Sequence, residues 1–217
     1  KDLPTKLPEG LIIGAVLKRD NPNDLIMTRD KVKLKDLKKN AVVGTSSIRR
    51  AVQLKKIRPD IELKEIRGNI ETRINKLKNG RFDAIILAYA GLKRLKIKDH
   101  YEKIDIKEMI PSPGQGVIAI VIRKDDNLLS LLKKLNDQKA SIESECERNF
   151  LSALDGSCKT PIGALARLEL KTKSKILFHY MAASLDGKKF IKDKTYFDID
   201  NYCKMSFNLG KKIKKML

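Results

Sequence analysis

Five of the twelve arginines, Arg49, Arg50, Arg67, Arg73 and Arg94, fall where apolar, strand-like runs give way to helical patterns, while the lysines are spread along the chain. The first such place is Val43-Gly44-Thr45-Ser46-Ser47-Ile48-Arg49-Arg50. The second is Arg67-Gly68-Asn69, after the run 61–66, with Arg73 near the start of the helix that follows. The third is Ala90-Gly91-Leu92-Lys93-Arg94, after the run 83–88. A guanidinium grips a carboxylate or phosphate with two parallel bonds, which the point charge of lysine does not. A helix N-terminus already carries partial positive charge and unpaired N–H groups, so cations placed there imply an anion between them and the backbone. The chemistry this pattern supports is therefore the holding of an anion.

The elements that must position these residues are legible from periodicity. From residue 25 to about 111 strands and helices alternate: a strand at 41–43, a helix from Ile48 to Ile57 halted at Arg58-Pro59, and a helix from Ile70 to Lys78 stopped at Asn79-Gly80. Such alternation predicts a parallel sheet with helices on its faces, whose ligands lie outside the carboxyl ends of the strands. Ahead of it come a proline-punctuated lead-in (1–10), a buried strand (11–17) and a polar crossing, Asp20-Asn21-Pro22-Asn23-Asp24. Behind it, Ser112-Pro113-Gly114-Gln115-Gly116 reads as a second crossing or a hinge turn, followed by a strand at 117–122. Helices are expected at 126–135 and 140–154, the second amphipathic through Ile142, Cys146, Phe150 and Leu154. Strands at 164–170, 176–184 and 189–197, with an Asp186-Gly187 hairpin turn and a basic last helix, complete a small α+β unit.

With 217 residues, 41% of them hydrophobic, the chain can bury a real core in one large domain or two small ones. Its net charge of +20 would suit nucleic acid or an anionic membrane surface. Dispersed lysines, 5% aromatics and the lack of any nucleic-acid-binding signature favour a generically basic surface instead. No run is long enough to span a membrane. Three cysteines, Cys146, Cys158 and Cys203, are too few and too far apart for a disulfide framework or a zinc site, and no metal is expected. A soluble protein of a reducing compartment, cytoplasm or plastid, is the simplest expectation. Cys146 and Cys203 read as packing residues. Cys158 sits in the loop Asp155-Gly156-Ser157-Cys158-Lys159-Thr160-Pro161, where Lys159 favours thiolate, although an ordinary loop cysteine explains it equally well.

Taken together, several stretches in fixed order resemble hydroxymethylbilane synthase, also called porphobilinogen deaminase. They are Lys1-Asp2-Leu3-Pro4, Gly44 to Arg50, Arg67-Gly68-Asn69-Ile70-Glu71-Thr72-Arg73, Asp83 to Ala88 with Gly91-Leu92-Lys93-Arg94-Leu95, Gly114-Gln115-Gly116, and Gly156-Ser157-Cys158 through Pro161-Ile162-Gly163. The resemblance covers nearly the whole chain. It implies an α/β fold in which two doubly wound parallel-sheet domains face each other across a cleft, with a small α+β C-terminal domain. Residues 1–19 and 117–136 would form part of domain 1, residues 20–116 domain 2 and residues 137–217 the cofactor-carrying domain 3. The first domain would be incomplete in this chain and would need its N-terminal segment from elsewhere.

The resemblance further implies a dipyrromethane cofactor held by a thioether to Cys158, onto which porphobilinogen units are added with loss of ammonia until hydroxymethylbilane is released. Arg49, Arg50, Arg67, Arg73 and Arg94 would bind the carboxylates of cofactor and substrate, with Lys1, Thr45, Ser46, Ser47 and Gly68 lining the same site. Asp2, by itself a solvated terminal residue, would be the catalytic aspartate, kept ionised among so many cations: it accepts pyrrole N–H bonds and stabilises the positive azafulvene formed when ammonia leaves. A monomer acting on a small molecule, with neither nucleic acid nor membrane as partner, is expected. Ser157 and Lys159 beside the cysteine, and the strongly basic charge, depart from the family's usual pattern. Two other classes compete: a non-catalytic anion-binding module of the periplasmic-receptor type, which needs no cysteine adduct, and a basic nucleic-acid-binding protein.

Overall fold

The computed structural model describes residues 1–156, 160–169 and 175–217. In chain order the strand β1 (Leu11–Val16) is followed by β2 (Asp24–Thr28), β3 (Val42–Gly44), α1 (Ile48–Ile57), β4 (Glu62–Lys64), α2 (Ile70–Lys78), β5 (Ala84–Ala88), α3 (Tyr89–Arg94) and β6 (Glu102–Lys103). Then come β7 (Ala119–Arg123), α4 (Leu129–Leu132), α5 (Gln138–Ala153), β8 (Ile162–Glu169), β9 (Lys175–Ala183), β10 (Phe190–Asp198) and α6 (Tyr202–Lys214). Two compact units result, one of residues 21–111 and one of residues 1–20 with 112–217.

In the unit 21–111 a five-stranded sheet has the order β4-β3-β5-β2-β6. Alternating side chains commit its two faces to different helices. Ile26, Val43 and Ile86 pack with Leu54 of α1, while Leu25, Met27, Ile85 and Leu87 pack with Ile74 and Leu77 of α2 and Leu92 of α3. Ser47 caps α1, its side chain accepting from Arg50 N at 3.5 Å, and the helix stops where Arg58 meets Pro59. Asn69 caps α2 in the same way, accepting from Thr72 N at 2.8 Å.

The sheet is mixed, which corrects the all-parallel expectation. β3 runs parallel to β4 and β5, but β2 is antiparallel to both β5 and β6. Parallel neighbours need a helical crossover, and β3, β4 and β5 are joined through α1 and α2. No α-helix follows β2 before β3; only a single 3-10 turn, Leu34–Asp36, intervenes, so nothing imposes the parallel sense.

In the other unit β1 pairs antiparallel with β7, and β8, β9 and β10 form an antiparallel sheet. Helices α5 and α6 cover that sheet through Cys146, Phe150, Phe178, Tyr180 and Ile213. Phe150 and Phe178 meet edge to face with ring centroids 5.3 Å apart. Residues 117–136 and 137–217 fall in the same compact unit. One backbone bond and one side-chain bond join them to the opening segment: Asp137 N donates to Val16 O at 2.8 Å, and Val16 N to Asn136 Oδ1 at 2.9 Å. Fully buried Glu147 of α5 pairs with Arg19 at 2.8 Å and accepts from Gly114 N at 2.7 Å and Ala166 N at 2.9 Å. The helix expected over 126–135 is shortened because Asp126 Oδ1 accepts from Leu128 N at 2.9 Å, a local turn that competes with a helical start.

Gly210 of α6 faces α5 so closely that an added Cβ would lie 2.6 Å from Ala153 Cβ and 2.8 Å from Phe150 O. Alanine there gains about 1 kcal/mol of helix propensity and loses roughly 1–3 kcal/mol to overpacking against backbone. Gly210→Ala is therefore expected to lower the urea midpoint, and a midpoint at or above that of the parent would contradict this packing.

Candidate functional site

Because β3, β4 and β5 are parallel, their carboxyl ends open on one edge of the sheet, and the loops to α1, α2 and α3 gather there. Thr45 N donates to Lys64 O at 3.0 Å, and Ser46 Oγ donates to Ile66 O, so the loop after β3 is stitched to the loop after β4. Thr45 Oγ1 accepts from Ser47 N at 3.2 Å. Thr45, Ser46, Ser47, Arg49, Arg50, Arg67, Gly68 and Arg73 all belong to this edge.

The antiparallel course of β2 brings one more residue to the same place. Asp24 opens β2 opposite Ala88, the last residue of β5. Its carboxylate is fully buried, and its two oxygens divide between the two arginines of α1. Oδ2 accepts from Arg49 Nη1 at 2.7 Å; Oδ1 accepts from Arg50 Nε at 3.1 Å and from Nη2 at 2.7 Å. Arg49 Nη1 also donates to Ile110 O at 2.8 Å, and Arg50 Nη1 to Ile86 O at 3.2 Å. The anion implied by cations at the start of α1 is thus, for these two arginines, a side chain of the protein itself. Only 4% of Arg49 and 7% of Arg50 remain exposed. Burial pushes the Arg49 pKa below the ordinary guanidinium value, against the attraction of Asp24 and with the repulsion of Arg50.

One carboxylate between two guanidiniums leaves positive charge over. Arg73 adds to it: its Nε donates to Gly68 O at 2.8 Å, and its pKa is lowered first by burial and then by the charge of Arg50. No carboxylate among the described residues pairs with Arg73. Arg67 is exposed and pairs with Glu65 at 2.8 Å, while its carbonyl accepts from Lys76 Nζ at 2.9 Å. Gly68 has φ 116°, and a Cβ there would lie 2.7 Å from Thr72 Cγ2, so the turn that points Arg67 outward needs glycine.

Arg94 differs from its expected place. It is the last residue of α3, exposed, because the helix begins at Tyr89 directly after β5. A cation in a last turn suits the helix dipole and implies no anion.

Lys1 and Asp2 belong to the other unit and are exposed. Arg148 Nη2 donates to Pro4 O at 2.9 Å and Thr5 O at 2.8 Å, and Thr5 Oγ1 donates to Gly156 O at 2.8 Å. A Cβ on Gly114 would come within 3.1 Å of Lys1 N. The opening segment thus lies close against Gly114 and is hydrogen-bonded to Gly156, two residues before Cys158 in the sequence. Cys158 lies outside the described residues. Cys146 is buried and Cys203 exposed, and burial is the first cause raising both thiol pKa values, which disfavours thiolate at either. Among the described residues no group of three or more His, Cys, Asp or Glu could hold a metal ion, and no helix is long and apolar enough to cross a membrane.

Asp24 and Glu147 are the residues that sequence reasoning missed. The available signal was an acid bordering or interrupting an apolar run, Asp24 before Leu25-Ile26-Met27 and Glu147 beside Cys146.

Comparison with known proteins bears on the same residues. The family described as "Porphobilinogen deaminase, dipyromethane cofactor binding domain" matches residues 1–130, and "Porphobilinogen deaminase, C-terminal domain" matches residues 141–217. A porphobilinogen deaminase of Nitratiruptor sp. is 46% identical over 98% of this chain and 67% of its own length. One from Desulforamulus reducens is 40% identical over 100% of this chain and 70% of its own. Among solved structures, a substrate-binding domain of a putative amino acid ABC transporter from Streptococcus pneumoniae aligns over 56% of this chain and 55% of its own. Its identity is 18% and its TM-score 0.38, too low a likeness to bear on function.

Removing one partner of a buried ion pair costs about 3–5 kcal/mol. Asp24→Ala, which strands two guanidiniums against each other, is expected to lose that much in urea unfolding; a loss under about 0.5 kcal/mol would mean that Asp24 does not neutralise them. Gly68→Ala is expected to lose on the order of 1–3 kcal/mol, from positive φ and contact with Thr72 together.

Proposed function

The chain belongs to the porphobilinogen deaminase family, and from that premise we propose that it is a transferase condensing porphobilinogen units, with loss of ammonia, into the linear tetrapyrrole hydroxymethylbilane. The observation that carries the reading at residue level is the uncompensated guanidinium charge at the carboxyl ends of β3 to β5, where Asp24 offsets only one of two arginines and Arg73 adds a third. Each pyrrole ring of substrate and product bears an acetate and a propionate. A polyanion of that kind is what such an edge attracts.

The donor set fits dipyrromethane, whose rings carry the same acids. When bound, that group supplies a free pyrrole carbon as the acceptor for the first substrate unit. Arg67 and Arg73 would grip its carboxylates, or those of the substrate, each charge-assisted bond adding about 1.5–3 kcal/mol. Arg49 and Arg50, already shared with Asp24, would act mainly through their field and remaining N–H groups. Thr45, Ser46, Ser47 and the Gly68 backbone would add hydrogen bonds, and Lys1 a further cation. Arg94 would reach the same acids only from the far end of α3. Asp2 would accept pyrrole N–H bonds and stabilise positive charge developing on the substrate as ammonia departs. Cys158 would hold the cofactor through a thioether, from a loop whose stem the opening segment already touches through Thr5.

Intact mass spectrometry tests the attachment. The protein is expected to carry extra mass equal to one dipyrromethane on the Cys158 peptide, lost in Cys158→Ala and kept in Cys146→Ala and Cys203→Ala; an unmodified Cys158 in active protein would overturn it. Asp2→Asn is expected to fold normally and to lower kcat on the order of a hundredfold or more. Unchanged turnover would remove Asp2 from the chemistry. Arg73→Lys keeps the charge and loses the fork, so KM for porphobilinogen should rise roughly tenfold, and an unchanged KM would count against two-bonded recognition.

A further inference from the structure

Two consecutive residues of α5, Glu147 and Arg148, hold the surroundings of Asp2. Arg148 Nη2 donates to Pro4 O at 2.9 Å and to Thr5 O at 2.8 Å, one hydrogen for each carbonyl. Glu147 accepts from Gly114 N at 2.7 Å, and Gly114 lies so close to the opening segment that a Cβ on it would come within 3.1 Å of Lys1 N. Asp2 stands between these two holds in the chain, one residue after Lys1 and two before Pro4.

Residues 2–5 belong to no helix or strand, and among the described residues no backbone–backbone hydrogen bond fixes them. Their placement falls to side chains: Arg148, and Thr5 Oγ1, which donates to Gly156 O at 2.8 Å. A guanidinium is a costly choice for this. Arg148 is half-buried, burial lowers its pKa, and among the described residues no carboxylate pairs with it, whereas Arg19 has Glu147, and Arg49 and Arg50 have Asp24. A charge taken partly out of water without a counter-ion opposes folding rather than favouring it. What it supplies is two charge-assisted bonds to adjacent carbonyls, which fix the course of the chain just past Asp2.

We propose that Arg148 is a positioning residue for Asp2: by gripping the carbonyls of Pro4 and Thr5 it holds the Asp2 carboxylate where positive charge develops on the substrate. The inference rests on the reading of Asp2 as the group that stabilises that charge. Acting through Asp2, Arg148 bears on turnover and not on substrate binding.

The test is steady-state kinetics on Arg148→Met, Arg148→Lys, Asp2→Asn and the double variant of Arg148→Met with Asp2→Asn. Each is assayed as holoenzyme of parental cofactor content by intact mass, at a temperature where thermal unfolding shows it folded. Arg148→Met deletes the donors and the charge, and is expected to lower kcat at least about tenfold while KM for porphobilinogen stays within about twofold of the parent. Arg148→Lys keeps donors and should recover most of that loss. In Asp2→Asn protein the Arg148→Met change should lower kcat by less than about twofold, as for two residues acting through one group. Thr5→Val deletes the second tether with little change of shape and serves in both backgrounds should Arg148→Met not fold; about a threefold fall in kcat at unchanged KM is expected, again only where Asp2 is present. Parental kcat in the variant that folds, or an equal loss with and without Asp2, overturns the positioning role while leaving Asp2 in the chemistry. Parental turnover in Asp2→Asn overturns the reading of Asp2 itself.

Discussion

A single buried carboxylate between two guanidiniums organises the anion-attracting edge of this protein. Cations at the start of a helix cost about 0.3–1 kcal/mol each against the dipole, more where water is excluded. Arg49 and Arg50 sit there at 4% and 7% exposure, and three bonds of 2.7–3.1 Å to Asp24 offset that cost. The charges do not cancel. One negative group faces two positive ones, and Arg73 stands close enough to Arg50 for its own pKa to be lowered by it. Asp24 thus does two opposed things: it lets the arginines be buried, and it leaves this edge with net positive charge.

That arrangement depends on the strand that departs from the rest of the sheet. Had β2 run parallel to β5, Asp24 would lie at the amino end of the strands, remote from α1. Running antiparallel, it sets Asp24 opposite Ala88, at the end where α1 and α2 begin. The alternation of apolar runs with helical patterns was enough to place α1 and α2 to the residue, because Ser47, Asn69, Pro59 and Gly80 punctuate both. The sense of β2 was not legible, since apolar runs of this kind look the same whichever way they run. For the same reason the clustering of arginines was visible in the sequence but its internal counter-ion was not: the pairing spans 25 residues and is made by topology alone.

Glu147 repeats the principle in the other unit. It was hidden inside a helix whose apolar stripe could be read, because one acid on a helix face usually means solvent. Here it is fully buried, matched by Arg19 and by two backbone N–H groups, and it fastens the glycine loop at Gly114 to β8. Burial drives the pKa of neighbouring Glu143 upward, against the bond it accepts from Leu168 N and the pull of Arg19 and Arg167. Sequence motifs identified the glycines and the cysteine loop as notable. They could not indicate that a carboxylate more than thirty positions away holds one of those glycines in place.

Both units use charge in a graded way that follows exposure. Where water is excluded, as at Asp24 and Glu147, carboxylates meet arginines and accept several bonds each, so that breaking one contact leaves an uncompensated charge. Where water is present, as at Asp155 with Lys214 or Arg67 with Glu65, pairing is cheap to break and adds little to folding. Buried pairs therefore suit groups that must keep one geometry throughout a cycle of repeated additions. Exposed pairs suit groups that must exchange partners or yield as a growing polyanion lengthens. Arg67 illustrates the second case: the carboxylate it pairs with among the described residues is the solvated one of Glu65 two residues away. Arg50 illustrates the first: its buried bonds with Asp24 hold the guanidinium in one geometry.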